Sequence, residues 1–193
     1  MAGKARTTVM ASSHPRIFTI GHSTLPADAF VATLAAHGIE VLADVRRFPG
    51  SRRHPQFGAE ALASTLRAAG MDYVWLARLG GRRRETAAAQ HLGWNNRSFR
   101  SYAAYTWSED FADGLFELLC IAGAASTAIM CSELPWWRCH RALIADVLRF
   151  VGMDVLHIMG PGAPKPHPYT APARIVAGEL VYPRDAAADD CCR

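Results

Sequence analysis

Residues 131–141, CSELPWWRCHR, crowd two cysteines, a glutamate, a histidine and an arginine around two tryptophans. Such a set admits three readings. A thiol beside an imidazole is the pairing of covalent catalysis, in which a base activates the nucleophile. Either Cys131 or Cys139 could serve, with His140 as partner. Cys131, Cys139 and His140, with Glu133, are also ligand types that zinc accepts. The spacing C-x7-C-H matches no recognised zinc pattern, and neighbours on one helix diverge by about 100°. No cofactor is therefore expected, with zinc kept as the lesser alternative. The third reading is plain architecture: buried small thiols, His140 satisfied by a carbonyl or by Glu133, and Arg141 paired with Glu133 or Asp44. For Glu133 and Arg141 that reading is the weaker one, because an ion pair is seldom buried for stability alone.

Other chemistry-bearing residues sit in short runs. Arg46, Arg47, Arg52 and Arg53 form one, and Arg78, Arg82, Arg83 and Arg84 another. The planar guanidinium fork binds phosphate and carboxylate bidentately; a solvated basic face is the alternative. Ser51 lies in the first of these loops. Asp44 is a candidate general base, or a brace for Arg46. His22 and Ser23 follow Gly21 at a strand end, where backbone N–H groups can cradle an oxyanion; Ser23 or Thr24 as a helix cap is the simpler assignment. Trp94, Phe99, Tyr102, Tyr105 and Trp107 interleave with arginines as single-stranded nucleic-acid binders do, though a satellite hydrophobic cluster explains them as well.

The elements that must position these side chains read as strands alternating with helices. RIFTI (16–20), IEVLADV (39–45), DYVWLARL (72–79), STAIMCS (126–132) and DVLHIM (154–159) are apolar runs of strand length. Helical periodicity marks 26–37, 59–69, about 98–106, about 108–123 and a helix opened by Pro135 and running to about Val151. On that last helix Cys139, His140 and Arg141 fall in the first two turns, with His140 on the apolar stripe of Trp137, Ile144, Val147, Leu148 and Val151. A short strand is expected at 179–182. Strands alternating with helices predict an open, mainly parallel sheet of about five strands with helices on both faces, a three-layer α/β fold. Right-handed crossovers place all the strand carboxyl ends on one edge, where such sheets bind ligands.

The chain has 193 residues, half of them hydrophobic, enough for one core. The expected organisation is a flexible arm over 1–15, one α/β domain over 16–183 with an insertion at about 80–107, and a flexible tail over 184–193. The formal net charge is +4. No apolar run reaches the ~18 residues of a membrane span, and the start lacks a signal-peptide core. Five cysteines without disulfide spacing fit a reducing, cytoplasmic setting.

Taken together, the T-x-G-x-S turn (Thr19, Gly21, Ser23), D-V-R with a following P-x-S (Asp44, Val45, Arg46, Pro49, Ser51), L-G-G (Leu79, Gly80, Gly81) and C-x-E…C-H-R (Cys131, Glu133, Cys139, His140, Arg141) resemble the domain of unknown function 488 family. The resemblance runs from about Arg16 to Tyr182. It implies an α/β fold and brings no activity. The expected function is an enzyme acting on a phosphate-bearing substrate, nucleotide or nucleic acid. In it Arg46, Arg47, Arg52 and Arg141 hold anionic oxygens, and His22, Ser23 and Ser51 orient the substrate. Glu133 or Asp44 is the acid or base. The alternatives are a non-catalytic nucleic-acid-binding module and a thiol redox or metal-binding protein.

Overall fold

The computed structural model describes residues 15–50, 53–83 and 91–184. The expected N-terminal arm before Pro15, Ser51, Arg52, Arg84 and the tail beyond Arg184, with Cys191 and Cys192, lie outside the described residues.

Strand β1 (Arg16–Gly21) is followed by α1 (Ala27–Ala36), β2 (Val41–Asp44), α2 (Ala59–Ala68) and β3 (Asp72–Trp75). Then come α3 (Arg97–Tyr105), α4 (Glu109–Ala124), β4 (Thr127–Cys131), α5 (Arg141–Phe150) and β5 (Asp154–Ile158). Three short strands close the order: β6 (Lys165–Pro166), β7 (Arg174–Val176) and β8 (Glu179–Val181). The first six strands in spatial sequence run β3-β2-β4-β1-β5-β6. Five of them are parallel, and β6 joins antiparallel to β5. This is the three-layer α/β arrangement that the alternation of elements predicts.

Local chemistry explains the boundaries. The Asn96 side chain accepts from the backbone N–H groups of Ser98 and Phe99, and that of Ser108 accepts from Phe111; these caps satisfy donors that the first turns of α3 and α4 leave open. Helix α4 also carries Glu109 and Asp110 at its positive end.

Strand β4 is buried throughout, and its side chains alternate between two cores. Ile129 joins the core built with α3, α4 and α5. Ala128 and Met130 join the other, with Phe30 and Leu34 of α1 and Leu62 and Leu66 of α2. Thus β1 and β2 lead into helices on one face, while β4, seated between them, leads into α5 on the opposite face. The connections diverge at the carboxyl end of β4, the place where open α/β sheets form a ligand crevice.

Three expected elements differ. The run 72–79 is a strand only to Trp75; a 3-10 turn covers Ala77–Leu79, because after Leu76 bonds to Asp44 the chain leaves the edge of the sheet. The helix expected from Pro135 is instead a 3-10 turn at Trp136–Arg138, an extended Cys139 (φ −128°, ψ 149°), and α5 starting at Arg141. Trp137 and Val151, placed on the apolar stripe by periodicity, are about half exposed. Near the end, β8 pairs with β7 in a hairpin through Ala177 and Gly178, both with positive φ, the two-residue turn that matches strand twist. Among the described residues no helix is long and apolar enough to cross a membrane.

Candidate active site

A cleft of about 490 Å³ opens at the carboxyl end of β4, within the range of small-ligand sites. Its floor is Cys131, Cys139 and His140; its walls include Arg46, Arg47, Arg82, Arg138, Glu133 and Tyr102. Beside it a second hollow of about 690 Å³ shares Arg47, Phe48 and Arg82.

The floor is assembled by three elements. Cys131 is the last residue of β4 and points, like Ile129, to the α5 side. The 3-10 turn and the extended Cys139 then bring the second sulfur back over the strand end. His140 caps α5, and its Nε2 lies 2.9 Å from the Val45 carbonyl. A carbonyl only accepts, so Nε2 carries the proton and, in the neutral ring, Nδ1 presents a lone pair. That lone pair faces both sulfurs, at 3.5 Å from Cys139 Sγ and 3.9 Å from Cys131 Sγ. The divergence expected of helical neighbours does not apply, because Cys139 is not helical.

The two thiols are unequal. A hydrogen bond with Cys139, with burial behind it, pushes Cys131 up to about 12. Burial pushes Cys139 up as well, but the hydrogen bond from Cys131 and the charge and N–H groups of Arg141 outweigh it and bring it down to about 6. Cys139 is therefore the sulfur that holds negative charge near neutrality.

Arg141 is almost wholly buried. Its guanidinium donates to the backbone carbonyls of Glu133 and Leu134, and to Thr19 Oγ1 at 3.5 Å. Gly21 makes room for this: a Cβ there would lie 1.9 Å from the Glu133 oxygen. The T-x-G turn and the C-x-E…C-H-R segment are thus one interlocked structure. Gly81 meets the floor in the same way, since a Cβ would stand 3.0 Å from His140 Nδ1.

Of the residues singled out from sequence, Cys131, Cys139, His140, Glu133, Arg46 and Arg47 meet at the cleft. Asp44 does not line it. Its carboxylate holds Arg46 through Nε (2.9 Å) and Nη2 (2.5 Å) and accepts from Tyr73 at 2.7 Å, so it braces the loop. Arg46 spends a further N–H on the Phe57 carbonyl. His22 stacks on Phe57 with ring centroids 4.1 Å apart, against the other core, and burial lowers it to about 4. The backbone N–H groups of His22 and Ser23 are bonded to the carbonyls of Cys131 and Ser132, which removes them as an oxyanion cradle. Arg141 is behind the floor rather than in it.

Arg82 and Arg138 also stand at the cleft, beyond the binders expected from sequence. Both are exposed, as is Arg47, and none of the three makes an ion pair among the described residues. Arg82 also has a positive φ of 57°, a strained backbone of the kind found at working sites. Arg83, by contrast, is occupied, donating to the carbonyls of Gly80, Ala77 and Arg78 and stacking over Tyr105.

A buried polar chain behind the site has no counterpart in the sequence reading. Thr19 Oγ1 lies 2.7 Å from His157 Nδ1, His157 Nε2 lies 2.9 Å from His167 Nδ1, and His167 Nε2 lies 3.0 Å from Asp146. Asp146 also accepts from Thr170 and Tyr182. One assignment satisfies every contact: Arg141 donates to Thr19, Thr19 to His157, His157 to His167, and His167 to the carboxylate. Two signals were present: His157 is polar inside an apolar strand, and Asp146 interrupts the apolar run of α5.

A family model described as Domain of unknown function DUF488 matches residues 26–148. No curated protein and no solved structure matches.

Proposed function

The chain belongs to the domain of unknown function 488 family, a membership that carries no reaction with it, and from that premise we propose that it is an enzyme acting on a phosphate-bearing substrate held in the cleft at the end of β4. One observation carries the reading. Arg47, Arg82 and Arg138 are exposed at the cleft with no carboxylate partner among the described residues, directly above a floor of reactive groups. Unpaired guanidiniums converging on a concave wall favour an anion, and phosphate matches their fork.

In this reading Arg47, Arg82 and Arg138 hold the anionic oxygens. Glu133, exposed and lining the same cleft, exchanges a proton with the substrate. The sulfurs and the His140 lone pair form the reactive floor. The adjoining hollow, with Phe48 about two-thirds exposed and Trp107 about half exposed, offers flat apolar surface for a nucleobase.

Equilibrium binding to the full chain tests it, using inorganic phosphate, pyrophosphate, nucleoside mono- and triphosphates and short single-stranded oligonucleotides. At least one binds, weakens with salt, and loses tenfold or more in Arg82→Ala or Arg138→Ala. Glu133→Gln keeps affinity and abolishes turnover of that ligand. Absence of binding, or arginine variants that bind as well as wild type, rejects the proposal. Binding without turnover in wild type leaves only a binding module.

A further inference from the structure

The floor of the cleft has the composition and dimensions of a metal site. Around a tetrahedral zinc ion, with Zn–S near 2.3 Å and Zn–N near 2.0–2.1 Å, each sulfur stands roughly 3.6 Å from the imidazole nitrogen. Here Nδ1 of His140 is 3.5 Å from one sulfur and 3.9 Å from the other, and all three donor atoms lie within 4.8 Å of one another. We propose that Cys131, Cys139 and His140 bind one thiophilic divalent cation of the zinc class, with its fourth position open to the cleft.

Three further features fit that occupant. The Nε2–H of His140 is held by the Val45 carbonyl, the second bond that fixes ring and tautomer in metal-bound histidines. Glycine at position 81 leaves the approach to Nδ1 uncrowded, since any Cβ there would stand 3.0 Å from it. Two thiolates cancel the charge of the dication, and the buried Arg141 beside Cys139 leaves the floor with one positive charge in excess. The open position therefore favours an anionic oxygen, in keeping with the arginines above it. Three protein ligands with a vacant fourth position is the pattern of catalytic rather than structural zinc. Bound there, the ion polarises a substrate oxygen or acidifies a water.

The inference deepens the function proposed above, since it fills the floor of the same cleft, but it is read out independently. The full chain, with Cys191 and Cys192 replaced by serine, is reduced, stripped with a chelator and titrated with cobalt(II) under anaerobic conditions. The expected result is one equivalent bound, with the near-ultraviolet sulfur-to-cobalt band of two thiolates, bleached by one equivalent of zinc. Cys131→Ser, Cys139→Ser and His140→Gln each weaken binding at least tenfold, whereas Cys120→Ser does not. Circular dichroism of the stripped variants reports folding. Should a cysteine variant unfold, protection of Cys131 and Cys139 from alkylation by zinc in the wild-type floor gives the same reading. A wild-type protein that takes up no equivalent of cobalt overturns the proposal. So does undiminished uptake in His140→Gln, or a Cys131–Cys139 disulfide in a protein whose reduced form ignores metal. Metal uptake without affinity for any phosphate ligand sinks the proposed function alone, and phosphate affinity without metal uptake sinks this inference alone.

Discussion

A methyl group on residue 21 would stand 1.9 Å from the Glu133 carbonyl oxygen, with the Glu133 carbon and the Leu134 Cα close behind. All three are backbone atoms, so no side chain can swing aside. Gly21→Ala is expected to cost on the order of 3 kcal/mol, read as a lower urea midpoint at unchanged slope. Gly81→Ala meets a ring at 3.0 Å instead. It should cost well under half as much, while displacing His140 and impairing whatever the floor does. Equal losses in the two variants would contradict this account of the motif. At this scale the sequence was informative about residue type and silent about which atoms act. C-x-E…C-H-R flagged Glu133 and Arg141 as a potential ion pair. In the fold Arg141 takes the backbone oxygen of Glu133 and leaves its carboxylate free to face the cleft. Nothing in a one-dimensional pattern separates a side-chain oxygen from a main-chain one.

Between β4 and α5 the chain makes a 3-10 turn and one extended residue before the helix begins, and Arg141 ties that detour down. Its fork spans the Glu133 and Leu134 carbonyls on one side and Thr19 of β1 on the other. Arg141→Ala strands two part-buried carbonyls and Thr19 and empties the space of a buried side chain, and a loss of about 3 kcal/mol is expected. Arg141→Lys should recover only a minor part, because one ammonium cannot reach both sides of the detour. Thermal unfolding of the three proteins side by side checks this; full rescue by lysine would mean the fork is dispensable. The main strands and helices were legible because apolar runs and helical stripes persist over whole elements. The detour was not. Pro135 is a legitimate helix opener, and only tertiary demand, the return of a second sulfur to the end of β4, interrupts the helix at Cys139. The β7–β8 hairpin escaped for a similar reason: its turn is Ala-Gly, a weak hairpin signal beside Asn-Gly.

Across the whole molecule, the polar chain from Arg141 through Thr19, His157 and His167 to Asp146 crosses the interior from the back of the cleft to the C-terminal segment. Burial, with His167 and Arg141 facing it, lowers His157 from 6.5 to about 3. Burial, helped by the charges of Arg46 and His54 and opposed by the Ser23 carbonyl and Asp44, lowers His22 to about 4. Both rings are neutral in the fold and take protons more readily when unfolded. Their contribution to stability is therefore complete above about pH 6.5 and is lost as pH falls toward 4 and then 3. At about 1.4 kcal/mol per pH unit for each ring, the loss by pH 4 is on the order of 5 kcal/mol. Urea titrations between pH 7.5 and 4 should show the midpoint falling steadily from about pH 6.5. His157→Gln should flatten part of that slope, the rest belonging to His22 and to His91, which burial also lowers, and a midpoint independent of pH over this range would refute the assignment. Asp146, His157 and His167 lie on a helix, a strand and a loop, with no common local pattern, so only the assembled fold makes them a group.

Strand β4 enters the sheet between β1 and β2, which were synthesised more than eighty residues earlier. Until Thr127–Cys131 leaves the ribosome those two strands have no bond to share, and the nascent chain holds β2 beside β3 with β1 lacking both of its neighbours. The strand that fills the gap is the one that ends in Cys131. Joining β1 to β2 and laying the first residue of the cleft floor are therefore a single late event, and a chain cut short near residue 125 has neither.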